Sequence, residues 1–523
     1  MHRLFWFSFL MLLLYACKEP LTGDIKTSIH IIPRPLEVSV LNGIFEMTEN
    51  TSIKAGRDLL LQAELLRDYL SPATGYNLPV KVDNSGRNFI ELKLSDQLSS
   101  LGEEGYKLNV TNKKVLITAF KPQGITWGIQ TLRQMLPDEI LREAFVSNVK
   151  WIIPCVSIVD KPRFNWRGLM IDYSRTFWNR RVTKKYIDAM SYYKLNMLHM
   201  HLTDDQGWRI EIDKYPLLNE ISSKFDTIYL EPGEREGYYS KEDIRELVRY
   251  AAARNVELIP EIEMPGHSSE IFAAYPQLSC TGDTLTIAPF FKRPGIHNEI
   301  LCAGKEETFK FLEDVLDEVI ELFPSEYVHI GGDEAPKAEW KACPLCQKRI
   351  KDEGLKDENE LQSWFVRRIE QYLNSKGKKL IGWDEIIEGG LSKTATVMYW
   401  RGRMEEAPLV AVNQGNDVIM SPTSHCYFDY PYEKISTEKV YSFEPLSGKL
   451  ENVSPRHILG VQGNFWSHID RSESLMDRQI FPRLIAMAEV GWTEKQNRSW
   501  SDFSLRLKHH YNILDLMDIY YMD

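Results

Sequence analysis

The sequence predicts an α/β protein: a (β/α)8 TIM barrel preceded by a small α/β accessory domain. Three observations predict it. After Lys161, short apolar strand-like runs alternate regularly with amphipathic helical patterns. Before Lys161, shorter β-type runs with turn signals surround helices of their own. Acids, histidines and tryptophans of the second part collect directly after its strand-like runs, where barrels keep their chemistry. With 523 residues and 43% hydrophobic content, the chain can fill two cores.

The N-terminus is read separately. His2 and Arg3 precede an apolar run, Leu4 to Tyr15, that is too short to span a bilayer and has the pattern of a signal peptide. Leu14-Tyr15-Ala16-Cys17 resembles a bacterial lipobox, although Tyr15 is bulkier than the usual occupant. The expectation is a leader over 1–17, lipidation at Cys17 and a polar, turn-rich tether over 18–28. The protein would then sit in the bacterial cell envelope, periplasmic or on the outer-membrane surface, touching membrane only through the lipid. Ordinary secretion with cleavage nearby is the alternative.

The accessory domain is expected over 29–160, with amphipathic helices at Asp58 to Leu70 and Gly124 to Leu132. Lys161-Pro162-Arg163 marks the change of pattern, and 161–523 is expected to be the barrel with a C-terminal helical segment. Its strands are predicted at Gly168–Asp172, Met197–Leu202, Val256–Ile262, Tyr327–Ile330, Lys379–Trp383, Thr396–Trp400, Asp417–Ser421 and Ile458–Val461. Helices are predicted over Thr183–Tyr193, Lys241–Arg254, Glu306–Phe323, Glu360–Lys376 and Ser472–Val490. The longest excursions follow the second and third strands and are candidate pocket walls.

A net charge of −11 with interspersed signs excludes a nucleic-acid footprint. Cys343-Pro344-Leu345-Cys346 has the spacing of half a zinc knuckle, but no second CxxC or HxxxH follows, so a local disulfide or free thiols are expected there in preference to a metal. A disulfide between Cys280 and Cys302 would close a polar loop. His199-Met200-His201 looks like the metal-binding HxH of barrel amidohydrolases, yet later strand ends lack the remaining ligands, and these histidines are read as packed or hydrogen-bonding. Neither a Gly-x-Ser-x-Gly elbow nor a Gly-rich phosphate loop is present. No cofactor is expected.

The chemistry is expected at the strand ends. Val328-His329-Ile330-Gly331-Gly332-Asp333-Glu334 reads as a buried strand whose glycines let the backbone approach a ligand before two adjacent carboxylates appear. The bland alternative is Asp333 capping the next helix. Asp204, His267, Trp383, Trp400, Tyr427, Asp429 and Trp466 take corresponding positions after other strands. One such tryptophan is more often core than sugar platform, but three at matching ends favour a sugar ring.

Four motifs together carry a family resemblance: Arg167-Gly168-Leu169-Met170-Ile171-Asp172-x-x-Arg175, His199-x-His201-Leu202-Thr203-Asp204-Asp205-Gln206-Gly207-Trp208-Arg209, Glu261-x-Glu263-Met264-Pro265-Gly266-His267 and His329-x-Gly331-Gly332-Asp333-Glu334. They resemble family 20 glycoside hydrolases, the β-N-acetylhexosaminidases, and the Gly-x-x-x-Gly-x-Gln-Thr-Leu helix resembles that family's accessory domain. The resemblance implies an exo-acting, retaining enzyme that removes terminal β-linked GlcNAc or GalNAc from glycans, the substrate's own 2-acetamido carbonyl acting as nucleophile. It implies Glu334 as general acid/base, Asp333 orienting the acetamide and Tyr427 bonding its carbonyl. It further implies Asp204 and His267 as the network behind Glu334, Arg175 as a clamp on sugar hydroxyls, and Trp383, Trp400 and Trp466 as pocket walls, with Asp429 nearby.

One position departs from the family: Trp466-Ser467-His468 places an imidazole where Trp-x-Glu is usual. A protonated imidazole would tolerate a 6-sulfated sugar, most clearly at mildly acidic pH, whereas a His468 that hydrogen-bonds a neutral hydroxyl or turns away from the sugar would not. A lacto-N-biosidase or a 6-sulfo-GlcNAc hexosaminidase would share this core, and a non-catalytic carbohydrate-binding protein would keep the walls but have little reason to keep both acids with Tyr427. Oligomeric state is not specified by the sequence.

Overall fold

The computed structural model describes residues 29–82, 88–229, 235–402, 404–451, 453–468 and 471–523. Cys17 and the expected tether lie outside the described residues. Among those described, no helix is long and apolar enough to cross a membrane.

Seven strands build the accessory sheet: β1 (Glu37–Glu46), β2 (Ser52–Ala55), β3 (Val80–Lys81), β4 (Phe89–Leu94), β5 (Tyr106–Val110), β6 (Lys114–Ala119) and β7 (Ile152–Asp160), in the order β1-β7-β5-β6-β4-β2-β3. The β6-β4-β2-β3 side is parallel, and β1, β7 and β5 add antiparallel pairs. Strict in–out alternation in β5 and β6 turns one face to a helix-covered core. The first helix covers Leu60–Thr74, one turn beyond the expected end, because Ala73 still has core to bury in; Gly75 at φ 68° then terminates it.

The second helix, Pro122–Arg133, has every residue from Gly124 onward buried, since it is held between the accessory sheet and the barrel. Its glycines permit that approach. A Cβ on Gly124 would meet the Gly105 carbonyl oxygen at 2.3 Å, and one on Gly128 would meet Ile117 Cγ2 at 2.4 Å.

The second part closes into a barrel of eight parallel strands: β8 (Trp166–Asp172), β9 (Met197–His201), then, past the hairpin β10 (Thr203–Asp204) and β11 (Gly207–Trp208), β12 (Glu257–Glu261), β13 (Tyr327–His329), β14 (Lys379–Trp383), β15 (Thr396–Tyr399), β16 (Val418–Met420) and β17 (Ile458–Phe465). All eight predicted strands are present. β17 runs past the predicted Val461 because Gln462, Gly463 and Asn464, too polar for an apolar run, are buried against the barrel interior and keep pairing with β8. Gln462 accepts from Trp166 Nε1 at 3.1 Å and donates to His199 Nδ1 at 3.1 Å. Trp166, Ile259, Tyr327, Ile381, Trp383, Met398 and Ile419 fill the barrel below the site.

The single helix predicted over Ser472–Val490 is instead two, Glu473–Ile480 and Arg483–Trp492, parted at Pro482, which cannot continue a helical hydrogen-bond ladder. The disulfide that would close the loop between Cys280 and Cys302 is not formed: Cys155, Cys280, Cys302, Cys343, Cys346 and Cys426 are all free thiols.

Buried polar contacts lock the two units together. Asp160 accepts from Lys194 Nζ (2.9 Å), Tyr106 Oη (2.7 Å) and Trp492 Nε1 (2.9 Å), and the Asp160 and Lys194 side chains are wholly buried. Arg167 of β8 makes a forked pair with Glu104 at 3.0 and 2.6 Å.

Candidate active site

Three strand ends deliver the acid–base groups. After β13 the chain turns through Gly331 (φ 66°) and Gly332 (φ 90°) into Asp333 and Glu334. Gly331 is required, since a Cβ there would lie 1.6 Å from Glu263 Oε2. Glu334 itself takes φ 44°, and His267, after β12, takes φ 46°. Such left-handed backbone in residues other than glycine is strained by about 1–3 kcal/mol each and collects at functional sites. Asp333 does not cap a helix. The next one, Ala338–Ala342, starts at Lys337 without a side-chain cap.

His267 joins the groups. Its Nε2 lies 3.5 Å from Glu334 Oε2 and 3.7 Å from Asp333 Oδ2, while its Nδ1 lies 3.3 Å from Asp204 Oδ1 and 3.2 Å from Asp205 Oδ2. Burial alone would lower the imidazole's pKa, but Asp204, Asp205 and Glu334 together hold it well above the ordinary value. Burial pushes Asp333 up to about 6, with Glu334, Glu261 and Asp204 adding to the rise and His267 opposing it. Glu334 is the most open of these acids, its side chain 34% exposed.

Aromatic walls stand opposite. Trp400 stacks on Tyr427 (centroids 6.1 Å apart, planes at 22°), Tyr427 lies 6.4 Å from Trp466, and Trp466 lies 5.9 Å from Trp383. Trp383 Nε1 donates to Glu261 (2.9 Å) and Trp400 Nε1 to Glu385 (2.8 Å), so both rings are fixed. Arg175 packs over Trp466, with its carbon Cζ 4.9 Å from the ring centroid, and pairs with Asp204 at 2.6 Å and Asp172 at 3.2 Å. Among the described residues, Asp333 Oδ1, Asp429 Oδ1 and Arg175 Nε are buried without a hydrogen-bond partner, as expected of groups waiting for a ligand.

His468 lies beside Phe290, with ring centroids 4.9 Å apart. Burial and the neighbouring Arg175 guanidinium push its pKa down to about 4. That lowering works against the protonated imidazole expected at mildly acidic pH, and the guanidinium of Arg175 is the positive charge beside it.

Beneath the acids lies a buried network that the sequence reading only partly anticipated. Glu261 lies 3.0 Å from His199 Nε2, 2.8 Å from His329 Nδ1 and in contact with His201 Nδ1, whose Nε2 is 2.9 Å from Asp204. His199 and His201 are thus packed and hydrogen-bonded, as read. Ligand atoms of His199, Glu261 and His329 lie close enough to hold an ion, but the Glu261 oxygens are already engaged by three imidazoles and the Trp383 indole.

Asp205, Glu261 and Glu263 stand in the motifs quoted for the resemblance but were given no role, and Glu385 was not singled out. Asp205 binds His267 and accepts from Ser269 at 2.5 Å; its signal was the doubled acid of Asp204-Asp205. Glu385 is pushed up to about 9 by burial and the neighbouring Asp333 and Asp384, and its signal was the acid two residues beyond Trp383.

Adjacent carboxylates at barrel strand ends, faced by four aromatic rings, define a glycoside hydrolase. Residues 164–495 match the catalytic domain of glycosyl hydrolase family 20 and residues 28–161 match domain 2 of the same family, so the chain belongs to glycosyl hydrolase family 20. It is 40% identical over 529 residues to a β-hexosaminidase of Porphyromonas gingivalis, covering 98% of this chain and 67% of that protein. A β-hexosaminidase of Akkermansia muciniphila is 35% identical, with 80% and 85% covered. The solved family 20 β-N-acetylhexosaminidase of Streptomyces coelicolor superposes with TM-score 0.83 at 31% identity, covering 94% of this chain and 97% of that one.

Proposed function

We propose that this β-hexosaminidase cleaves terminal β-linked N-acetylhexosamine with Glu334 as general acid/base, Asp333 as the group that orients and stabilises the reacting acetamide, and Tyr427 as donor to its carbonyl oxygen. The activity releases terminal GlcNAc by the substrate-assisted route of the family. A Streptomyces plicatus β-hexosaminidase has been solved with its product GlcNAc, and a Vibrio harveyi exo-β-N-acetylglucosaminidase with N-acetylglucosamine.

One observation carries the assignment of roles: Glu334 and Asp333 both converge on His267 Nε2, at 3.5 and 3.7 Å. Carboxylates gathered on one imidazole do not flank a glycosidic bond as acid and nucleophile must, so the acetamide carbonyl attacks the anomeric carbon instead. Glu334 donates its proton to the departing oxygen. Asp333, ionised, accepts the acetamide N–H and offsets the charge growing on the oxazolinium ring. Water, deprotonated by Glu334, then opens the ring. His267, held by Asp204 and Asp205, positions Glu334; Arg175 and Asp429 take the sugar hydroxyls, and Trp383, Trp400 and Trp466 enclose the acetamide and the sugar face.

The test is a β-glucoside with a plain 2-hydroxyl, which should be hydrolysed negligibly, beside a thiazoline analogue of the cyclised intermediate, which should inhibit strongly. A glycosyl ester trapped on any carboxylate would overturn the reading.

The proposal extends to location: Cys17 carries a lipid that anchors the enzyme in the cell envelope. Cys17→Ala should move it from the membrane fraction to the soluble one at unchanged specific activity, and acyl-free wild type would refute this.

A further inference from the structure

Away from the sugar site, four cysteine sulfurs converge. Cys280 Sγ lies 3.8 Å from Cys346, Cys302 Sγ lies 3.8 Å from Cys343 and 3.6 Å from Cys346, and all four are within 4.8 Å of one another. We propose that Cys280, Cys302, Cys343 and Cys346 bind one zinc ion as a closed, structural tetrathiolate site.

Three of the six sulfur–sulfur separations match the edges of a zinc tetrathiolate, and the rest fall within 4.8 Å. With Zn–S bonds of ~2.3 Å those edges are ~3.8 Å, whereas a disulfide needs ~2.05 Å. An all-sulfur set of this shape selects zinc or iron over harder cations, and four protein ligands leave no open position for catalysis.

The surroundings are built for thiolates. Cys343 occupies the N-cap of the helix Pro344–Asp352 and Cys346 its first turn, where the helix's positive end favours anionic sulfur. Gly304, two residues after Cys302, lets the two loops approach, because a Cβ there would lie 2.3 Å from the Leu345 carbonyl carbon. Lys305 Nζ donates to the carbonyls of Gln277 (2.7 Å) and Ser279 (2.6 Å), which puts an ammonium beside the Cys280 turn and offsets the site's net negative charge. Cys302 and Cys346 are fully buried, and Cys343 nearly so. Binding displaces four thiol protons as four Zn–S bonds form, so the ion is released in acid.

The consequence is mechanical. Cys280 and Cys302 belong to the excursion after β12, which carries His267; Cys343 and Cys346 belong to the segment after β13, which carries Asp333 and Glu334. Leu301, beside Cys302, receives Trp340 Nε1 at 3.0 Å and donates to Pro265 at 2.9 Å, so the cluster fastens one catalytic loop to the other.

Metal analysis of the purified full chain by mass spectrometry should find one zinc per molecule, with these four thiols shielded from alkylation until a chelator is added under denaturing conditions. Exchange for cobalt should give thiolate charge-transfer bands and the strong visible bands of a tetrahedral ion. Cys343→Ser/Cys346→Ser should lose the zinc and lower the Tm. If that variant fails to fold, the wild-type stoichiometry decides. Wild type without zinc, iron in its place, or disulfides among these cysteines in non-reducing peptide maps would overturn the proposal.

Discussion

Glu334, the proposed acid/base, sits on a left-handed backbone, and its neighbour Asp333 holds a poorly solvated carboxylate, so both positions carry a cost in stability. Glu334→Gln should keep the fold and lower turnover ~10²–10⁴-fold on substrates with poor leaving groups, the usual contribution of a positioned acid. Asp333 permits a sharper test. Its pKa rises on folding from 3.8 to about 6, so the folded state favours the protonated form. That relative stability is complete below about pH 4 and is lost as pH rises through about 6. Asp333→Asn should therefore be more stable than wild type at pH 7, on the order of 1–3 kcal/mol by urea midpoint, with the difference gone near pH 4 and activity severely reduced throughout. At His468, burial and the Arg175 guanidinium push the pKa down to about 4, which disfavours the charged ring above that pH. The ratio of kcat/KM for 6-sulfated over unsulfated substrate should then stay flat between about pH 5 and 7. The positions gathered in the candidate site were legible because strand ends display residue types in a fixed place. The surroundings of Glu261 and Glu385 were not, because each acid's neighbours appear only once folding sets Glu261 among three imidazoles and Glu385 under an indole.

Elements that follow one periodicity were read well, and those that interrupt it were not. All eight barrel strands announced themselves as apolar runs, yet the polar end of β17 was invisible: Gln462 and Asn464 are buried by hydrogen bonding, which periodicity does not record. The interface helix Pro122–Arg133 was placed correctly, but its glycines acquire meaning only from what they touch. Gly128→Val should force the helix off Ile117 and Tyr106, destabilising the protein by about 1–3 kcal/mol in urea titrations, while the folded fraction keeps its kcat. The cysteines illustrate the same limit. Cys343 and Cys346 stood in one short motif that was read as a local disulfide or free thiols in preference to a metal, whereas their neighbours in space, Cys280 and Cys302, lie singly in another loop and carry no local spacing signal.

At the scale of the whole molecule, the joint between sheet and barrel includes the wholly buried Asp160–Lys194 pair, the Arg167–Glu104 fork and one shared helix. Lys194→Met leaves Asp160 charged and without its cation, and should cost about 3–5 kcal/mol in unfolding free energy; adding Asp160→Leu should recover part of that loss, because a charge is worse unpaired than absent. Trp492 takes the argument further, since this residue of a late barrel helix packs into the hydrophobic cluster of the accessory sheet. The chain is therefore not two cassettes on a string. A recombination junction at Lys161 would divide one continuous interior, so exchanging barrels between relatives succeeds only when the facing surface of 29–160 travels with them, and drift in the accessory sheet constrains which barrels evolution can keep.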